Sequence, residues 1–328
     1  LAIRTRLTDF FNIAHPVILA PMTPAAGGAL ASAVADAGGL GLLGGGYADR
    51  AWYEEETRKI STPRVGCGFI TWAVEQDVEL FDRALTELPT AMMMSFSDPA
   101  RLGKRVKQAK VPLICQVHTL EHARRAIDVG ADVLIAQGTE AGGHGLTARS
   151  TMPFVPAVVD LVSKIAPSVL VVAAGGIADG RGLAASLMLG ADGVLMGTRF
   201  WATQESLIHP AAKQKVVAAS GDETIRTTVY DIVREKAWPE CYTGRLLKNG
   251  FIEKWHGRET ELKTMHREER AKVEAAWVSG DYDTANVTVG EAVGLINDLP
   301  SAGEIVARTI REASERLGMF AAAERLAS

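Results

Sequence analysis

His144 ends the run Gln137-Gly138-Thr139-Glu140-Ala141-Gly142-Gly143-His144 and is followed by Gly145. These residue types suit proton transfer beside a bound polar ring. An imidazole titrates near neutral pH and both takes and returns protons. The flanking glycines let a ligand approach the backbone, and the Gln137 amide offers both a donor and an acceptor to a ring edge. Two further glycine turns lie downstream, in Ala174-Gly175-Gly176-Ile177 and Leu195-Met196-Gly197-Thr198. Backbone N–H groups without side-chain crowding, followed by a helix start, are what a phosphate needs. Tight strand-to-helix turns use the same glycines, so the signal lies in two such turns together. Gly44-Gly45-Gly46 has no following Lys-Ser/Thr and reads as a flexible turn. No HExxH, His/Cys/Asp cluster or GxSxG occurs, so neither metal hydrolysis nor serine acyl transfer is supported and no metal is expected.

Those turns must be positioned by something. Eight short apolar runs alternate with helical patterns, at 17–20, 40–43, 65–70, 91–95, 111–116, 133–137, 169–173 and 193–196. They are nearly continuous in apolar character rather than alternating, as suits parallel strands buried on both faces. Helix patterns fall at 29–37, 75–87, 99–109, 120–129, 153–165 and 181–189. Asp98-Pro99 starts the third, and Gly130 and Gly190 follow the fourth and last. Eightfold strand–helix repetition predicts a (β/α)8 TIM barrel, with an open doubly wound sheet as the alternative. In a barrel, active residues sit at the strand C-termini, where the sixth, seventh and eighth runs carry the motifs above. Phe69, Trp72 and His118 end or follow other runs and are candidate pocket residues. After residue 200 the chain turns polar. Residues 205–285 are expected to form a mainly helical insertion, and 1–204 with 286–328 the barrel.

Composition narrows the class. The chain of 328 residues carries 35 Lys+Arg against 39 Asp+Glu, a net charge of −4, which disfavours nucleic acid or an anionic membrane as partner. Three scattered cysteines without CxxC spacing build neither a disulfide scaffold nor a structural zinc site. No apolar run approaches the ~20 residues of a membrane span, and residues 1–11 lack a signal-peptide core. A reduced, soluble, cytoplasmic protein is expected.

Taken together, the 137–145 run, Ala174-Gly175-Gly176-Ile177 and Met196-Gly197-Thr198 resemble the nitronate monooxygenase family, formerly 2-nitropropane dioxygenases. His15-Pro16 with Ala20-Pro21-Met22, and the stretch from Ala33 to Gly41, fit the same pattern. The resemblance covers residues 5–205 well and the tail loosely. It implies an FMN-binding barrel in which Met22 lies against the flavin and Gln137 and Gly142 contact it. Gly175, Gly176 and Leu195, Met196, Gly197 and Thr198 would hold the ribityl phosphate, and His144 matches the family's catalytic base. Many members carry Asn at the end of the third strand. Gly68 stands there instead and offers the cofactor only backbone, with Trp72 expected to fill the space. Trp72, Phe69 and Met22 would give an apolar pocket for small alkyl substrates, with His118 beside it. The implied reaction is oxidation of an alkyl nitronate by O2 to a carbonyl compound and nitrite. An NAD(P)H-dependent FMN reductase of the enoyl-acyl-carrier-protein or quinone type is the alternative, and a flavin-free phosphate-binding barrel the non-redox one. Partners would be small molecules, and a homodimer is compatible with the sequence.

Overall fold

The computed structural model describes the backbone of residues 3–326 and side chains through residue 319. Its strands are β1 Val17–Leu19, β2 Gly41–Gly46, β3 Val65–Ile70, β4 Met92–Ser95, β5 Leu113–Val117, β6 Val133–Gln137, β7 Gly143–Gly145, β8 Leu170–Ala174, β9 Gly193–Met196, β10 Thr224–Thr227 and β11 Thr243–Leu247. Eight of them form one parallel sheet in the order β1-β9-β8-β6-β5-β4-β3-β2. The sheet closes between its two ends: Leu19 N–H donates to Leu40 C=O at 3.0 Å, and Leu40 N–H to Val17 C=O at 2.9 Å. Each expected run is a barrel strand, displaced by no more than two residues at its start.

Both faces of these strands are buried, which explains their continuous apolar character. Ile18, Met93, Ile114, Ile135, Val172 and Leu195 fill the barrel interior, where Leu7 of the N-terminal helix Arg6–Phe11 joins them at one end. Their neighbours Val17, Leu19, Met92, Met94, Val171 and Val194 face the surrounding helices. The alternation within Met92-Met93-Met94 is the period of two that a strand imposes. The helix between β2 and β3, Arg50–Thr57, has no counterpart among the expected ones; it is mostly polar and started by Asp49, whose carboxylate accepts from Trp52 N–H. The outer ring is completed by Ala302–Leu326, which packs on Gly180–Met188. There Gly180 N–H donates to the Glu312 carboxylate at 3.0 Å, and a Cβ on Gly180 would collide with the Ala313 backbone.

Residues 205–285 hold more than helices. Helices Pro210–Ala218, Val229–Val233, Gly250–Trp255 and Glu259–Ser279 surround the pair β10–β11. Val229, Leu246, Phe251, Trp255, Leu262 and Val273 give this segment an apolar core of its own. Its sheet has a third strand taken from the barrel: β7, inside the loop after β6, pairs antiparallel with β11, with His144 opposite Gly244. The loop that carries the sequence's main candidate residue therefore belongs to both layers.

Candidate active site

A cavity of about 410 Å³ opens at the C-terminal ends of the strands, roughly within the range of small-molecule and cofactor sites. On one side it is made mostly of backbone. Gly175 and Gly176 have φ of +104° and +73°, which only glycine adopts without strain. A side chain on Gly175 would meet Thr151 Oγ1 at 2.8 Å, and one on Gly142 would meet the backbone of Val289 and Gly290. Gly197 and Thr198 complete this side, and Thr198 Oγ1 accepts from Gly290 N–H at 2.9 Å. Glu140, the only acidic residue in the lining among the described residues, is turned away: its carboxylate accepts from Thr151 N–H at 2.9 Å and Thr151 Oγ1 at 3.1 Å. This side therefore presents glycine backbone to the cavity, with the one nearby carboxylate already engaged.

The barrel's middle strands set the orientation of Gln137. Ser95 Oγ donates to Gln116 Oε1 at 3.3 Å, and Gln116 Nε2 donates to Gln137 Oε1. His118 Nε2 donates to the same oxygen at 2.7 Å, and Gln137 Nε2 reaches the His144 carbonyl at 3.4 Å. With its oxygen held by two donors, the Gln137 amide turns its N–H groups toward His144 and the cavity. Burial pushes the His118 pKa down to about 4, so this imidazole stays neutral at pH 7.

The opposite side comes from the insertion. His144 Nε2 lies 2.9 and 3.0 Å from the two carboxylate oxygens of Asp231, on helix Val229–Val233. Both side chains are largely buried, at 15% and 10% exposure, so water screens the pair weakly. Trp238 stacks on the imidazole with centroids 3.5 Å apart and planes 5° apart. Phe96, held at φ +67° just after β4, packs edge-on against Trp238 and Tyr242. A non-glycine residue in that region costs of order 1–3 kcal/mol and recurs at functional sites. Arg226 and Arg245, on β10 and β11, both donate to the Thr139 carbonyl, at 2.9 and 3.1 Å, which ties the β6 loop down to the insertion.

The expected residues fall into two groups. Met22, Phe69, Gln137, Gly142, His144, Gly175, Gly176, Leu195, Gly197 and Thr198 line the cavity. Four do not. His118 lies behind Gln137, and the Met196 side chain packs outward among the helices. Trp72 sits in an aromatic cluster with Tyr47 and Trp238 at 5.8 and 5.4 Å. Gly68 is packed under Pro21, where an added Cβ would collide with the proline ring, so Pro21 and not Trp72 fills the expected space. Asp231, Trp238, Tyr47 and Phe96 were not among the sequence candidates. They converge only through contacts across long stretches of chain.

A closed β/α barrel with glycine turns and a carboxylate-backed imidazole at its strand ends defines a barrel enzyme with its site at the strand C-termini. The profile of the family described as "Nitronate monooxygenase" matches residues 4–63 and 69–312, and the chain belongs to that family. It is 32% identical to a nitronate monooxygenase of Neurospora crassa, over 95% of this chain and 93% of that one. It is also 29% identical, over 97% and 98% of the two chains, to a Mycobacterium tuberculosis protein named (3aS,4S,5R,7aS)-5-hydroxy-7a-methyl-1-oxo-octahydro-1H-indene-4-carboxyl-CoA dehydrogenase. Among solved structures, FabK from Thermotoga maritima superposes with a TM-score of 0.82 at 32% identity, covering 98% of this chain and 99% of that one. Nitroalkane oxidase from Streptomyces ansochromogenes superposes at 0.80 and 26% identity, covering 95% and 99%. The cofactor is FMN, and the lining fits it: glycine backbone at Gly175, Gly176 and Gly197 next to the polar edge of Gln137.

Proposed function

We propose that the protein oxidises alkyl nitronates with O2 to a carbonyl compound and nitrite, and accepts neutral nitroalkanes after removing their α-proton. FMN supplies the redox chemistry when bound, between the organic substrate and O2. The chain's own residues bind, orient and move a proton. Gly175, Gly176, Gly197 and Thr198 are assigned to the phosphate, and Gln137 and Met22 to the ring. His144 takes the α-proton of a nitroalkane. Asp231 on Nε2 fixes the imidazole's orientation and stabilises the imidazolium that forms, as a carboxylate behind a histidine base does. Nδ1 has no hydrogen-bond partner among the described residues and is the ring nitrogen left for the substrate. Phe96 and Trp238 exclude water around it. The observation that carries this reading is the buried His144–Asp231 pair at the rim of the cradle. The test is oxygen uptake and nitrite release by the flavin-loaded protein with ethyl nitronate. Rapid turnover with both signals supports the reading, and no nitrite sinks it.

The likeness to FabK favours a second reading, an NAD(P)H-dependent FMN reductase of the enoyl-acyl-carrier-protein or quinone type. Anaerobic mixing with NADPH separates the two. Fast bleaching of the flavin supports the reductase; a flavin that NADPH leaves oxidised supports nitronate oxidation.

A further inference from the structure

Tyr47 lies just past the end of β2 and lines the cavity, and the proposed chemistry above does not use it. Its phenol oxygen is met by two donors. Trp238 Nε1 donates to it at 2.9 Å, and the Arg234 guanidinium approaches at 3.4 Å, a long contact. The Lys236 ammonium lies 4.4 Å from the ring centroid, so the ring is covered by a second cation. Donors on the phenol oxygen leave its hydrogen to point elsewhere. No described residue accepts it. Burial raises the Tyr47 pKa, with Arg234 opposing, so the hydroxyl keeps its proton at neutral pH. A phenol that accepts from an indole and a guanidinium is also a stronger donor, because hydrogen bonds in a chain polarise one another. The indole that holds Tyr47 is the one that stacks on His144, so donor and base flank one ring.

We propose that Tyr47 is a catalytic hydrogen-bond donor that holds an oxygen of the substrate's nitro or nitronate group while His144 takes the α-proton. This rests on the site assignment made under the proposed function. The step balances without an oxidant. The α C–H bond breaks, its proton goes to His144, and the electron pair forms C=N while a nitro oxygen gains the negative charge. That oxygen is where a fixed donor gains most, because charge develops there. The donor also defines the ligand class: planar groups with two oxygens sharing a negative charge.

The test uses the FMN-loaded protein and propionate, a planar two-oxygen anion of the same size as ethyl nitronate that cannot be oxidised in this way. Propionate binding is titrated by its perturbation of the flavin spectrum. Tyr47→Phe should weaken it by about 10- to 100-fold, the worth of one hydrogen bond to a charged group. Its rate on nitroethane should fall by roughly 10²–10³-fold, as for loss of one oxyanion donor. Trp238→Phe keeps an aromatic ring over His144 and removes only the polarising N–H, so propionate should weaken by a few-fold at most. Propionate affinity unchanged in Tyr47→Phe, or lowered equally in both variants, would overturn the proposal and leave Tyr47 a latch for Trp238. Should Tyr47→Phe lose its flavin, replacing Tyr47 by 3-fluorotyrosine keeps the ring and makes the hydroxyl more acidic. Tighter propionate binding then supports the donor, and unchanged binding overturns it. If the wild-type protein consumes no nitronate, the proposed function falls. The propionate comparison still reads on Tyr47, because it involves no reaction.

Discussion

The two sides of the cavity are built by different means. The cradle side is backbone: Gly175, Gly176, Gly197 and the start of the helix Thr198–Trp201, all within reach of β8 and β9. The opposite side is made of side chains that meet across long stretches of chain. His144 meets Asp231 at a separation of 87 residues, and Tyr47 meets Trp238 at 191. A cradle made locally forms whenever the barrel forms. A base and its carboxylate meet only if the insertion also folds onto β7. In the proposed function the barrel holds the cofactor, and the insertion sets the chemistry.

Damage to the two sides should therefore differ in kind. The largest effect is expected at the cradle. Gly176→Leu forces a side chain onto a φ of +73° and into the phosphate's place, so the variant should purify without flavin. The ratio of flavin to protein absorbance reads this directly, and a fully yellow Gly176→Leu would move the cradle elsewhere. Damage on the other side should spare the flavin. Asp231→Asn should keep flavin content and cost about 10- to 100-fold in kcat/KM on nitroethane, a part of the roughly 10²–10⁴-fold that general base catalysis contributes. Asp231→Glu should recover part of the loss, and activity on pre-formed ethyl nitronate should change by less than about threefold. Equal losses on both substrates would make Asp231 a structural residue.

The smallest effect is one of stability, on the barrel side of Gln137. His118 titrates at about 4 in the fold against an ordinary 6.5. Between those values the unfolded chain binds the proton and the folded chain does not, so the stability present above pH 6.5 is lost as pH falls toward 4. The loss is on the order of 3 kcal/mol at most. His118→Gln should start with a lower Tm and show a shallower decline between pH 6.5 and 4.5. Parallel declines would mean that His118 does not carry this pH dependence.

The same division decides what could be read in the sequence. The eight strands were legible because burial on both faces writes a continuous apolar run, and the glycine lining of the cavity because two consecutive βα turns are adjacent in the barrel. His144 stood out by its glycine neighbours. Asp231 carries no such mark: it sits in a five-residue helix between two short strands, and nothing in Val229-Tyr230-Asp231 announces a histidine 87 residues earlier. Short strands such as Thr224–Thr227 show no clean alternation, so the insertion read as helical. Gly68 was seen as a departure, but its cause, the packing of Pro21, depends on the approach of β1 to β3 across the barrel mouth. Phe96 and Tyr47 follow strands directly and lacked only a reason to be chosen.

In the proposed function a proton-taking His144, held by the insertion, works beside a cofactor held by the barrel. His144→Asn, assayed with flavin bound, tests it on two substrates that differ by one proton. Activity on neutral nitroethane should fall by about 10²–10⁴-fold, while activity on pre-formed ethyl nitronate falls far less. Equal losses on both substrates, or none on either, would contradict the account.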